Sequence, residues 1–142
     1  MPLRTSKRIL EAVDALPIRQ GMRILEIGCG PGAAAREIVR RWPSAYVLGI
    51  DRSAKAIKQA IAGSQAELAE GKVAFRQVEA EAFQLEPDEP PYDLAFALRV
   101  GALDGRHPTA GAFALPRIAA SLTKHGRIFV DCGSPLREIR EA

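Results

Sequence analysis

The sequence predicts an α/β fold: a doubly wound, mostly parallel sheet of about five strands with helices on both faces. Three observations predict it. Apolar strand-like runs alternate with helical stretches along the 142 residues, the pattern of repeated strand–helix–strand units. Two runs, Asp93-Leu-Ala-Phe-Ala-Leu98 and Arg127-Ile-Phe-Val-Asp131, are almost wholly apolar, as parallel strands covered on both faces are. The first run, Arg23-Ile-Leu-Glu-Ile27, breaks into Gly28, Gly30 and Gly32 at alternate positions. A glycine turn between strand and helix lets the backbone approach a ligand with no Cβ in the way.

The elements follow in order. Thr5 to Ala15 carries Ile9, Leu10 and Val13 at helical spacing, with Thr5 or Ser6 as the cap and Pro17 and Gly21 as stops. Residues 22–27 form the first strand. Residues 32–41 form a helix that Pro43 ends. Residues 45–50, Ala-Tyr-Val-Leu-Gly-Ile, form the second strand, ending at Asp51. Ser53 caps a long helix to about Ala69, which Gly63 weakens midway and Gly71 closes. Residues 72–78 alternate, with Val73 and Phe75 against Lys72 and Arg76, the pattern of a half-exposed edge strand. The acidic, proline-rich Glu86-Pro-Asp-Glu-Pro-Pro91 reads as a loose loop before strand four. Leu115 to Leu122 reads as a helix, with Pro116 tolerated in its first turn. Arg127 to Asp131 is strand five.

Composition narrows the function classes. The chain is 47% apolar and 26% charged, so it is expected to fold as a single domain, 1–142, rather than stay disordered. The net charge of +3 is small and its Lys and Arg residues are scattered. That argues against specific nucleic-acid binding. No apolar run approaches the ~20 residues of a membrane span, and the N-terminus lacks an apolar signal core. A cytoplasmic protein is expected. Cys29 and Cys132 read as small packing residues, with no His or Cys nearby at ligand spacing, so no metal is expected.

In such sheets, ligands sit beyond the carboxyl ends of the strands. Those ends are Glu26 to Gly32, Asp51 and Arg52, Glu79 to Phe83, Arg99 to Asp104, and Asp131 to Ser134. His107 follows strand four and can face the site; His125 lies at the opposite end. Asp51 comes 19 residues after Gly32. An acid there can accept two hydrogen bonds from a ribose diol, or serve as a favourable charge at the start of the next helix. Nicotinamide dinucleotides use a similar turn, and Gly28-x-Gly30-x-x-Ala33 fits their pattern formally. Glu26, where a dinucleotide fold wants an apolar residue, and the Pro31-Gly32 turn argue against them.

The segment Ile24-Leu25-Glu26-Ile27-Gly28-Cys29-Gly30-Pro31-Gly32 resembles the acid-x-Gly-x-Gly-x-Gly motif of the class I S-adenosylmethionine-dependent methyltransferases, a Rossmann-like family. Val47 to Ser53, Val78 to Glu81, Tyr92 to Phe96 and Leu122 to Arg127 are similar to that family's later motifs in order and spacing. The resemblance covers about residues 5–135. It implies S-adenosyl-L-methionine as cofactor. By position, it implies that Gly28, Cys29, Gly30 and Gly32 hold the methionine part and that Glu26 lies near its ammonium. It implies that Asp51 binds the ribose, Arg52 flanks the adenine, Glu79 and Ala80 meet the adenine edge, and Arg99 lies near the methyl group.

Methyl transfer from a sulfonium needs chiefly alignment, and a base only where the nucleophile must lose a proton. Asp104 and His107 are the candidate bases, and Arg99 is a candidate substrate contact. The Asn-Pro-Pro-Tyr and Pro-Cys motifs of nucleic-acid methyltransferases are absent, so a small-molecule acceptor is expected. The expected activity is methyl transfer. The alternatives are a cofactor-binding module inactive without a partner and an NAD-dependent oxidoreductase. After strand five the resemblance calls for a helix and an antiparallel pair. Ser134-Pro135-Leu136 can only begin such a helix before Ala142. Strand five would then be an uncovered apolar edge, which predicts a homodimer or a partner chain over it.

Overall fold

The computed structural model describes residues 5–98, 108–131 and 136–140, with residues 108–113 described by backbone alone. It contains a six-stranded sheet in the order β3-β2-β1-β4-β5-β6. The strands are β1 (Arg23–Ile27), β2 (Tyr46–Asp51), β3 (Val73–Gln77), β4 (Tyr92–Leu98), β5 (Leu122–Asp131) and β6 (Arg137–Ile139). The first five run parallel; β6 pairs antiparallel with β5. The helices are α1 (Lys7–Ala15), α2 (Ala33–Arg41), α3 (Ala54–Gly63), α4 (Gln65–Ala69) and α5 (Pro108–Ala120), with one 3-10 turn at Ala80–Ala82. The doubly wound parallel architecture is the one predicted.

Strand periodicity builds two cores. Ile24, Val47, Leu94 and Phe96 point to one face and pack with Val13 of α1 and Ala34, Ala35 and Ile38 of α2. Leu25, Ile27, Leu48, Ile50, Ala95 and Ala97 point to the other face and pack with Ala114 and Ile118 of α5. Alternate residues of a strand face opposite sides, so Glu26 lies on the α2 face with Ile24. β1 sits between β2 and β4 and is buried from Ile24 to Ile27, Glu26 included.

Local signals set most boundaries. Ser6 caps α1 by accepting from the Ile9 amide at 3.3 Å, and Ser53 caps α3 by accepting from the Ala56 amide at 3.1 Å. Gly71, in the left-handed region at φ 71°, follows α4 as expected. Five expectations need correction. The helix foreseen from Ser53 to Ala69 is two helices, broken at Gly63 and Ser64, because Ser64 turns inward and is fully buried. The last long helix begins at Pro108, not Leu115, and holds Pro116 in its interior.

Strand five begins earlier than Arg127. Leu122 pairs with Tyr92, and Arg127 then pairs with Leu94, so the Thr123–Gly126 segment bulges out. The chain after it forms β6 instead of a helix: Ile128 faces Ile139, Phe129 faces Glu138, and Val130 faces Arg137. Arg127 and Glu138 reinforce the pair with two side-chain bonds of 3.0 and 2.8 Å. The apolar edge of β5 is therefore covered by this chain itself, and the argument for a second chain over that edge loses its basis.

The proline-rich loop is also not loose. Glu89 accepts from the Tyr92 hydroxyl at 2.5 Å, from the Glu86 amide at 2.8 Å and from both terminal nitrogens of Arg76. Arg23 lies between the Tyr46 and Tyr92 rings, 4.7 Å from each centroid, and donates to the Pro90 carbonyl. Burial pushes Glu89 up, but the Tyr92, Glu86 and Arg76 bonds outweigh it and hold the carboxyl below its usual range. The buried acid Glu37 ties α2 together by accepting from Arg40 and Arg41, while Arg41 reaches Asp14 of α1. No helix among the described residues is long and apolar enough to cross a membrane.

Candidate functional site

The site is assembled where β1 and β2 end. The Gly28 and Cys29 amides both donate to the Ile50 carbonyl, at 2.8 and 2.9 Å. That pair lifts the chain off β1 and folds it across the end of β2. Gly28, Gly30 and Gly32 all have positive φ, at 71°, 53° and 87°, the region L side chains avoid. Around Gly30 a Cβ would meet nothing within 4 Å, so glycine is required there by backbone angle, and the position is open. Gly32 is the N-cap of α2 and supplies no side-chain bond to the helix start. The first turn of α2 therefore faces the site with amides that need partners.

Asp51 closes the turn. Its Oδ2 accepts from the Gly30 amide and its Oδ1 from the Ser53 amide, both at 2.9 Å. One carboxylate thus fixes the glycine turn and the start of α3. Each oxygen keeps a further lone pair, so the group can still receive two donors from a ligand. Val78 donates to the Asp51 carbonyl at 3.0 Å and Gln77 to the Arg52 carbonyl at 3.3 Å. These bonds bring Glu79 and Ala80 beside the Asp51 end. Arg52 and Glu79 are exposed and Ala80 is buried.

Glu26 is the unusual member. It is 3% exposed, between Gly49 of β2 and Phe96 of β4 in register. Its Oε1 is buried with no hydrogen-bond partner among the described residues. Burial pushes its carboxyl up to about 8; the Asp51 carboxylate adds to the rise and the Arg36 guanidinium opposes it. A buried acid of this kind is costly by itself. It becomes favourable when a cationic hydrogen-bond donor reaches it.

Cys29 is buried, as a packing residue should be, and its thiol is pushed up by burial and by the nearby Glu26 and Asp51 carboxylates. Its side chain lies against Gly49, where a Cβ would come within 2.8 Å of the Cys29 Cβ and 2.9 Å of Phe75 Cδ1. Cys29 can therefore offer a ligand only its backbone. Gly49 is a site residue that the sequence reading missed, having treated it as one more strand residue. Arg36 and Ser64 were missed as well. Arg36 Nη1 donates to the Pro31 carbonyl at 2.8 Å and to Ser64 Oγ at 2.9 Å. Their signal was faint: an arginine four residues after a turn glycine, and a serine after a helix glycine.

Of the predicted residues, the structure brings together Glu26, Gly28, Cys29, Gly30, Gly32, Asp51, Arg52, Glu79 and Ala80. Arg99, Asp104, His107 and Cys132 lie outside the described residues. His125 is exposed on the β5 bulge, at the end of the sheet away from the turn. Asp131 pairs with Leu98 at the carboxyl ends of the strands and accepts from Arg8 of α1 at 3.4 Å.

Known proteins resemble this chain. Residues 24–126 match the model of a methyltransferase domain. A trans-aconitate 2-methyltransferase of Methylobacterium nodulans is 35% identical over 135 residues, covering 93% of this chain and 47% of that protein. Another, from Streptomyces avermitilis, is 35% identical over 86 residues, 61% of this chain and 30% of that protein. The chain spans about half the length of the first of these relatives, or less of the second. A solved S-adenosylmethionine-dependent methyltransferase of Thiobacillus denitrificans, in complex with S-adenosyl-L-homocysteine, matches with a TM-score of 0.70 at 24% identity, covering 89% of this chain and 48% of that one. Likeness at that identity speaks for the fold. With the match over residues 24–126, the chain belongs to the methyltransferase domain family.

Proposed function

We propose that residues 1–142 act as one S-adenosyl-L-methionine-binding domain of a methyltransferase whose acceptor is a small carboxylic acid. The carrying observation is Glu26 Oε1, buried and without a hydrogen-bond partner among the described residues, at the foot of the glycine turn. An ammonium group placed there would ionise Glu26 and satisfy that oxygen. A nicotinamide dinucleotide has no such cation to offer. Asp51, with lone pairs to spare, takes the ribose hydroxyls. Arg52, Glu79 and Ala80 border the adenine. Gly30 leaves the ligand room against the backbone, and the α2 amides meet a carboxylate.

When bound, the cofactor supplies an activated methyl group on a sulfonium. The chain's part is to hold that group in line with the acceptor and keep water away. The acceptor class is drawn from the curated relatives, whose name is trans-aconitate 2-methyltransferase. A carboxylate oxygen is nucleophilic without losing a proton, so such a transfer requires no general base. Arg99 is proposed as a contact to that acid, and the candidate bases Asp104 and His107 are not required for such a transfer. A second reading is favoured by coverage, since the aligned segment is 47% of the Methylobacterium protein: the chain binds the cofactor but transfers the methyl group only with further protein.

Titration calorimetry with S-adenosyl-L-methionine, S-adenosyl-L-homocysteine and NADH tests the cofactor. Binding of the first two and not of NADH is expected; binding of NADH alone refutes it. A methyl-transfer assay on a panel of small carboxylic acids then separates the two readings.

A further inference from the structure

We propose that Arg36 is a positioning residue for the cofactor, locking the Gly28–Gly32 turn to the α3–α4 junction. The proposal rests on the cofactor reading above. Arg36 belongs to the second turn of α2, yet its side chain runs back over the glycine turn. One nitrogen, Nη1, donates to the Pro31 carbonyl and to the Ser64 hydroxyl. Those two bonds use both hydrogens of that nitrogen.

The surroundings are cut to fit it. A Cβ on Gly32 would lie 3.0 Å from Nη1, and one on Gly63 would lie 3.1 Å from it. Two glycines from separate elements thus form the slot for one guanidinium. Ser64, which breaks the helix, is fully buried at the end of that slot. This gives the α3–α4 break a reason that helix propensity alone does not. The break aims a hydroxyl at Arg36, and Arg36 pins the turn to the helix that Asp51 starts.

The same guanidinium acts on Glu26. Among the described residues, the charged or titratable groups acting on that carboxyl are Asp51 from β2, Arg36 from α2 and the neighbouring Cys29 thiol. Its register neighbours, Gly49 and Phe96, are uncharged. Arg36 opposes the rise that burial and Asp51 produce. It keeps Glu26 ionisable enough to receive an ammonium, without forming an ion pair that would compete with the ligand.

The test uses Arg36→Met, Arg36→Lys and Ser64→Ala in this chain. Carbon-13 NMR follows the Glu26 carboxyl titration in the free protein, and calorimetry follows S-adenosyl-L-homocysteine affinity from pH 6.5 to 9. Arg36→Met should move the Glu26 midpoint upward by at least about half a pH unit. It should weaken binding about tenfold at pH 7, with the gap narrowing toward pH 9. Arg36→Lys should restore the midpoint but not the full affinity, because a lysine cannot span both acceptors in the same geometry. Ser64→Ala should leave the midpoint unmoved and weaken binding less. If Arg36→Met does not fold, Arg36→Gln takes its place, and a Glu26 midpoint equal in Arg36→Gln and Arg36→Lys overturns the charge role. Native binding with an Arg36→Met profile superimposed on the native one overturns the proposal alone. A native protein that binds no S-adenosyl-L-homocysteine at any pH overturns the cofactor reading beneath it.

Discussion

Replacing Glu26 with glutamine removes a charge whose ionisation the fold opposes while keeping the side chain's shape. In the folded chain the Glu26 carboxyl titrates near 8, against an ordinary 4.5. The folded state therefore binds this proton more tightly than the unfolded chain does. The stability contributed by the protonated carboxyl is complete below pH 4.5 and is lost as pH rises toward 8. At about 1.4 kcal/mol per pH unit, the loss is on the order of 3 kcal/mol by pH 7 and nears 5 above pH 8. Glu26→Gln does not titrate and escapes it. The amide's own hydrogen-bonding preferences shift the whole pH range alike, so they cancel in the slope. Urea unfolding of both proteins at pH 5, 7 and 8.5 reads the difference. Native stability should fall relative to the variant's by about 3 kcal/mol or more across that range. Parallel curves would refute the reasoning. The same variant should bind S-adenosyl-L-homocysteine at least about tenfold more weakly. A gain in stability joined to a loss of binding separates a functional charge from a structural one.

Further predictions follow from the rest of the site and fold. Asp51→Asn keeps one acceptor but loses the charge, and should weaken S-adenosyl-L-homocysteine binding at least tenfold, about 1.4 kcal/mol, by calorimetry; unchanged affinity in a folded variant removes the ribose role. Gly49→Ala drives a methyl group to 2.8 Å from Cys29 Cβ and should cost about 1–3 kcal/mol in chemical denaturation; a neutral result would mean that Cys29 and Phe75 yield freely. Glu89→Gln should cost about 1–3 kcal/mol near neutral pH by loosening the Tyr92–Arg76 clamp. Native Glu89 is held below its usual range, so its stabilisation is present above pH 4.5 and is lost as pH falls through the lowered value. The two proteins should converge in strong acid, and a constant gap would contradict the clamp.

What the sequence disclosed was local. Strand-face alternation, the glycine turn, the Ser53 cap and Asp51 at a strand end are each written within a few residues, and each stands where it was expected. The misreadings were long-range. Three residues of β6 carry almost no strand signal by themselves and form a strand only because Ile128 to Val130 offer them a partner. The α3–α4 break depends on Ser64 finding Arg36, 28 residues away in the chain. Glu86 to Pro91 has the composition of a free loop, and the approach of Arg23, Arg76 and Tyr92 ties it down. Within the site, the carboxylates and glycines were legible because their chemistry is direct. Gly49 and Arg36 were not, because their importance lies in what packs against them.

The central claim is that Glu26, whose buried Oε1 has no hydrogen-bond partner among the described residues, awaits a cation at the glycine turn. Calorimetric titration with S-adenosyl-L-homocysteine at pH 7, repeated in buffers of different ionisation enthalpy, tests it most directly. If Glu26 is protonated in the free chain and ionised by the bound ammonium, binding should release about one proton per molecule, and Glu26→Gln should abolish the release. Tight binding with no proton released, or with the same release from Glu26→Gln, would contradict it.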